Sequence, residues 1–211
     1  MKNIAFAFTG EGRTDHEFLP IIVERTIESL IPYIGGITYN VMQSTQSDEK
    51  AKIIDIAAQA YGYHFIVYHV DADYHDTSQA FERHVTPVQE AVEASDSPLN
   101  KDILPIVPVR MTEAWMLADF EVYRLFVGRS LNSDSVGFPK TPREVEGIQA
   151  PKEKIDRIIG HARSKNRRPI PIADLYEPFA RNISLAKLSL IPSYVEFKAR
   201  LEALLNKLHL V

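Results

Sequence analysis

Short apolar runs and longer amphipathic stretches alternate along the chain. Runs rich in apolar and β-branched residues are typical of strands that are covered on both faces. Four such runs occur in the first half of the chain, at residues 4–8, 37–42, 64–70 and 103–109. The last run contains two prolines, which cannot donate a hydrogen bond to a neighbouring strand, so we expect it near an edge of the sheet.

Each of these runs is followed by apolar residues at helical spacing. After the Thr9–Gly12 turn, Thr14 and Glu17 have the spacing of a capping box and predict the start of the first helix. Further helices are predicted at residues 48–61 and 78–94 and from Arg110 to Asp119. This alternation indicates an α/β fold with a mainly parallel sheet flanked by helices, whose ligands gather beyond the carboxyl ends of the strands.

The remainder of the chain shows no strand pattern. Residues 129–151 carry glycines and prolines among polar residues and predict a long loop. Helices are predicted near residues 152–164, 173–181 and 193–208, with a basic break at 165–168. We therefore expect an α/β domain over residues 1–128 and a loop with a C-terminal helical extension over residues 129–211, packed on that domain.

Composition limits the classes of protein to which the chain can belong. Its 211 residues are 45% hydrophobic and 25% charged, and no run approaches the roughly 18 apolar residues of a membrane span. The first residues show no cleavage pattern of a secretion signal, so the expected location is the cytoplasm, with no membrane partner. The chain has no cysteine, so a bound metal would have oxygen or imidazole ligands, which favours magnesium or manganese.

The net charge of −4 conceals an uneven distribution. Residues 1–139 carry a formal charge of −10, residues 140–168 carry +5 and residues 169–211 carry +1. Such blocks are common on solvated surfaces that bind nothing. The alternative interpretation is a metal-dependent site beside a phosphate-binding surface. In that interpretation Lys165, Arg167 and Arg168 would contact a nucleic-acid backbone.

Acidic residues follow two of the predicted strands. Asp71 and Asp73 come directly after the third predicted strand, and Glu11 follows the first through a Gly-Glu-Gly turn. An aspartate in a loop often serves only to bind local backbone donors. However, parallel strands end at a common edge, so we expect these three carboxylates close enough for one or two cations about 4 Å apart. Without a cation they would repel one another.

These residues resemble the Toprim arrangement, in which a glutamate follows the first strand and an Asp-x-Asp pair follows the third. The resemblance rests on Gly10–Asp15 with Phe18 and Leu19, and on Val70–Asp73. Three further segments are similar to an uncharacterised bacterial Toprim-like family, domain of unknown function 4276: Pro108–Asp119, Ala150–Lys152 and Tyr176–Leu201.

The resemblance implies magnesium or manganese chemistry on phosphodiesters. The aspartate pair would hold the cation, and Glu11 would assist as an acid, a base or a second ligand. Topoisomerases and primases need further domains that 211 residues cannot hold, so nucleases of the overcoming-lysogenization-defect type are the nearest active model. We therefore expect a nuclease or related phosphotransfer enzyme acting on nucleic acid, in bacterial defence or repair. In one departure, the third acidic residue of the family is at best Asp76.

Other residues have two interpretations each. Glu113 is either an additional metal ligand or an acid placed favourably at the start of a helix. Arg110 and Arg13 are candidates for phosphate binding. His75 is the better candidate for an outer metal ligand, whereas His69 is expected to be a satisfied residue within its strand.

Two other functions remain open. A nucleotide-sugar transferase also uses Asp-x-Asp to chelate manganese and a diphosphate, but gives Glu11 no role. A catalytically silent Toprim-like protein would only bind nucleic acid or a partner protein, and an ATPase encoded nearby would indicate a two-component nuclease. Nucleotide sites of two common kinds are excluded, because Asp15 replaces a fingerprint glycine and no Gly-Lys-Ser/Thr element exists.

Overall fold

Four parallel strands form the sheet of the computed structural model, which describes residues 2–162 and 170–211. The order across the sheet is β2-β1-β3-β4. The strands are β1 (Asn3–Thr9), β2 (Gly36–Val41), β3 (Phe65–His69) and β4 (Ile103–Ile106). The α/β class with a parallel sheet flanked by helices is therefore confirmed, as is the edge position of the strand that contains Pro105.

The two central strands, β1 and β3, bring two distant segments of the chain side by side. Thr9 at the end of β1 pairs with Tyr68 near the end of β3. All five residues of β3 are buried, as a continuous apolar run predicts. The residues that follow the two strands therefore leave the sheet at the same edge.

The helices of the first half agree with the predicted pattern, with two interruptions. They are α1 (Arg13–Leu30), α2 (Glu49–Gln59), α3 (Ser78–Ala80), α4 (Thr86–Glu93), α5 (Thr112–Met116) and α6 (Phe120–Phe126). A π-helical turn at Phe81–Val85 separates α3 from α4. The predicted Arg110–Asp119 helix is shorter and is followed by a second one, because the Asp119 carboxylate accepts a hydrogen bond from Glu121 N and begins α6.

The start of α1 differs from the predicted Thr14–Glu17 capping box. The helix begins at Arg13, and the Asp15 carboxylate accepts a hydrogen bond of 3.0 Å from the backbone nitrogen of Gly12. Glu17 instead forms an exposed ion pair with Arg13. Asp15 is therefore the acidic residue that fixes this turn.

The second half of the chain is helical. It contains α7 (Pro151–His161), α8 (Tyr176–Asn182), α9 (Leu185–Leu188) and α10 (Pro192–Lys207), with 3-10 turns at Pro142–Gly147 and Ile172–Leu175. The first of these turns lies within the predicted loop. The basic break at 165–168 lies outside the described residues.

The hydrophobic core lies on both faces of the sheet. On one face a large cluster joins Phe6 and Trp115 to Tyr176 and Leu201, so residues from both parts of the chain share one core. On the other face a smaller cluster packs helices α2 and α4 against the sheet, through Ala7, Ile53, Ile66 and Val88. Within the described ranges, none of the helices is both long enough and apolar enough to span a membrane.

Candidate functional site at the carboxyl edge of the sheet

Glu11 and the aspartate pair lie at the same edge of the sheet because they follow adjacent parallel strands. The close approach of the two strand ends requires a glycine at position 10. A Cβ atom at Gly10 would lie only 3.1 Å from Nδ1 of His69 and 3.3 Å from its Cβ. This glycine therefore makes room for His69.

The charges of these residues act on one another. Partial burial raises the pKa of Glu11 above its ordinary value, and the negative charge of Asp71 raises it further. Asp15 and Asp73 act in the same direction, while His69 opposes them. Such a shift is expected where carboxylates gather without a counter-ion.

His69 holds one of the aspartates in place. The histidine is buried in β3, and its Nε2 lies 3.0 Å from Oδ1 of Asp71. Burial alone would lower the pKa of His69, but the hydrogen bond to Asp71 and the charges of Asp71, Asp15 and Glu11 raise it above its ordinary value. His69 therefore lies within its strand as predicted, with Nε2 satisfied by Asp71, and it also belongs to the acidic cluster; its buried Nδ1 has no hydrogen-bond partner among the described residues.

Asp15 completes the support beneath the site, and the sequence did not assign it a role there. Its Oδ1 accepts a hydrogen bond of 2.6 Å from Thr112 Oγ1, and its Oδ2 lies 3.7 Å from His69 Nδ1. Because its other donor is Gly12 N, Asp15 connects the turn after β1 with α5 and with the end of β3. The signal in the sequence was its position in the Gly10–Asp15 motif.

Removing the Thr112 hydroxyl tests this support. Thr112→Val keeps the shape of the side chain but leaves Oδ1 of the buried Asp15 carboxylate without its hydroxyl donor. We expect the free energy of unfolding, measured by urea denaturation, to fall by about 1–3 kcal/mol. Thr112→Ser keeps the donor and removes one methyl group, so it should cost about 0.8 kcal/mol. Equal stability of the valine variant and the wild type would contradict the assigned role.

Glu113 already has a hydrogen-bond partner within the protein. It is buried in the first turn of α5, and its carboxylate accepts a hydrogen bond from the Tyr176 hydroxyl of α8. Burial and this hydrogen bond raise the pKa of Tyr176 well above its ordinary value. Glu113 is not among the charges that raise the pKa of Glu11. We therefore leave Glu113 out of the proposed metal ligands.

Arg110 fixes the loop that carries the second aspartate. Its guanidinium donates to the backbone oxygen of Asp73 at 3.1 Å and to the His75 ring at 2.8 Å. The residue has a φ of 69°, in the left-handed region that a non-glycine side chain rarely adopts. Two nitrogens of the Arg110 guanidinium are thus used in contacts within the protein. His75 is exposed, and its ring is a hydrogen-bond partner of the Arg110 guanidinium. The structure therefore gives His75 a partner within the protein rather than a metal.

Asp76 does not join the cluster. Its carboxylate accepts hydrogen bonds from the backbone nitrogen and the hydroxyl of Ser78, and these bonds lower its pKa. Asp76 is therefore engaged with the turn just before α3, and it is not among the charges that shift the pKa of Glu11.

The structure describes only some of the residues that are predicted to contact nucleic acid. Arg13 lies at the surface, at the start of α1, and forms an i,i+4 ion pair of 3.1 Å with Glu17. Lys165, Arg167 and Arg168 fall outside the described residues, so their predicted phosphate contacts stay predictions.

The carboxylate oxygens at this edge of the sheet are the type of ligand that hard divalent cations bind. The pKa of Glu11 is raised first by partial burial and then by the charge of Asp71, and a cation would offset the second of these effects. Among residues 2–162 and 170–211, however, no three His, Asp or Glu side chains are grouped as a ready metal site. Asp71 is also engaged with His69. The side chains would therefore have to rearrange to bind a metal.

Protein-family models, curated proteins and solved structures were compared with the chain, and none matches it. The functional conclusion rests on the chemistry of its own residues.

Proposed function

We propose that this chain is a Toprim-like enzyme that uses magnesium or manganese to cleave or transfer phosphodiesters in nucleic acid. The observation that carries the proposal is the gathering of Glu11, Asp71 and Asp73 beyond adjacent parallel strands, where partial burial and then the charge of Asp71 raise the pKa of Glu11. Ligands of open α/β sheets bind at this edge. An acidic cluster there is suited to a cation and, through the cation, to a phosphate.

Asp71 and Asp73 would hold the cation, and Glu11 would serve as a second ligand or as the group that carries a proton. A divalent cation bound in such a site neutralises phosphate oxygens and lowers the pKa of a bound water. Glu11 suits proton transfer in chemistry, because a carboxyl group within reach of the reacting phosphate can accept a proton and donate it again.

The other residues would keep these carboxylates in position. The buried ring of His69 orients Asp71, and Asp15 stands on the opposite side of that ring. Arg110 restrains the backbone of Asp73. Side chains locked by packing and hydrogen bonds keep a site within the small tolerance that catalysis requires.

The two alternative functions, a nucleotide-sugar transferase and a silent binding partner, give a role to fewer of these residues. A nucleotide-sugar transferase uses only the Asp-x-Asp pair and leaves unexplained why Glu11 gathers with it. A silent binding partner is favoured by one observation, that the described residues contain no ready metal group. These alternatives make different predictions in an activity assay.

The assay incubates the purified chain with single-stranded and double-stranded DNA and RNA, in manganese, in magnesium and in EDTA. We expect products from at least one substrate with metal and none in EDTA. In a parallel incubation with nucleotide sugars and manganese, release of sugar in place of strand cleavage would support the transferase. No product under any condition, with a candidate ATPase partner also supplied, would support the silent binding module.

A further inference from the structure

A cavity of about 320 Å³ opens directly beside Glu11. It lies between the carboxyl ends of β1 and β2, and Asp71 and Asp73 follow β3 on the other side of β1. Its walls come from the end of β1, the start of α1, the segment after β2, and α2. Glu11 therefore stands between the aspartate pair and this cavity.

The described walls of the cavity combine two cationic side chains with uncharged polar groups and one carboxylate. They include Arg13, His16 and Lys52, together with the amide of Gln43 and the hydroxyl of Ser44. Glu11 is the only carboxylate, and the imidazole of His16 the only aromatic ring, among the lining residues described. Arg13 and Lys52 bring positive charge to the cavity, which suits the phosphate of a nucleic-acid backbone.

Lys52 is the cation best placed to meet such a phosphate. It is half-buried on α2 and forms no ion pair with any residue in the described ranges. By contrast, Lys187 is held by Asp119 at 2.6 Å and Lys207 by Asp102 at 2.7 Å. Lys52 therefore lines the cavity with a positive charge that no ion pair among the described residues takes up.

Arg13 can supply a second contact. Its side chain is 91% exposed and pairs only with Glu17, one turn along the same helix. Exposed pairs of this kind contribute little to stability. Exchanging Glu17 for a phosphate would therefore cost little.

We propose that this cavity binds a backbone phosphate adjacent to the scissile one, with Lys52 as its principal contact and Arg13 as its second. The identification of the ligand as nucleic acid rests on the function proposed above. A strand whose reacting phosphate lies at Glu11 and Asp71 would continue across Glu11 into the cavity. Lys52 would then determine the path of the strand without taking part in the chemistry.

The test measures the binding of a labelled oligonucleotide by fluorescence anisotropy, in EDTA, over a range of salt concentrations. Each phosphate contact contributes about 0.7–0.9 to the slope of log affinity against log salt. Lys52→Gln should weaken binding and reduce this slope by about that amount. Lys50→Gln, the same change on an exposed residue of α2, should leave the slope unchanged. Lys52→Arg should retain the slope, which separates lost charge from altered folding.

The outcomes distinguish this inference from the proposed function. Equal slopes for Lys52→Gln, Lys50→Gln and the wild type would overturn the assignment of Lys52, whatever the cleavage assay shows. A loss specific to Lys52→Gln in a protein that cleaves nothing would support the cavity and contradict the enzymatic proposal. A wild type that binds no oligonucleotide in EDTA would overturn the assignment of the cavity, and the cleavage assay in manganese would still decide the enzymatic proposal.

Discussion

Replacing Glu11 with glutamine is expected to slow nucleic-acid cleavage by about 10²–10⁴-fold, the usual contribution of general acid–base catalysis. Glutamine keeps the size of the side chain but cannot carry the proton. It also removes the charge that Asp71, Asp15 and Asp73 oppose, so the fold should lose no stability. The measurement is the rate of product formation in manganese, with the stability of each variant followed by thermal unfolding.

A matched control for this variant is Glu202→Gln, the same change at an exposed position of α10. It should cleave as the wild type does. If Glu11→Gln also loses its affinity for manganese, Glu11 acts as a metal ligand. Cleavage at the wild-type rate by Glu11→Gln would remove Glu11 from the catalytic machinery.

Asp71→Asn is expected to abolish most of the stabilisation that the wild type gains from manganese. A ligand at 100 times its Kd stabilises a protein by about 2.7 kcal/mol. For a chain of this size that corresponds to a rise in Tm of about 5–11 °C. Asparagine removes the charge at the centre of the cluster, so the variant should show little of this rise.

The control for Asp71 is Asp96→Asn. Asp96 is exposed in the segment that leads into β4, and so lies toward the opposite edge of the sheet from the site. Its variant should keep the full response to manganese. A response of wild-type size in Asp71→Asn would show that manganese binds elsewhere.

The sequence predicts the sheet and the meeting of Glu11 with Asp71 because both follow from local patterns. Buried parallel strands appear as continuous apolar runs, as Phe65–His69 shows, and their carboxyl ends share one edge. The order of the strands then brings residues 60 positions apart into one cluster, since β1 and β3 are neighbours.

The contacts that support the cluster could not be predicted in this way. Asp15 and Thr112 are 97 residues apart, and nothing in either local pattern indicates their hydrogen bond. The contact of His69 with Asp71 depends on the path of the chain just after β3. The left-handed backbone of Arg110 is also set by tertiary contacts, since most non-glycine residues avoid it.

The most direct test of the metal site is a crystal structure of the chain with manganese, using anomalous scattering to locate the ion. We expect an anomalous peak at the carboxyl edge of the sheet with carboxylate oxygens of Asp71 and Asp73 as ligands and Glu11 beside it. Distances of about 2.0–2.2 Å from oxygen to metal would be consistent with a hard divalent cation. A peak at another part of the protein, with this edge empty, would contradict the assignment of these three residues.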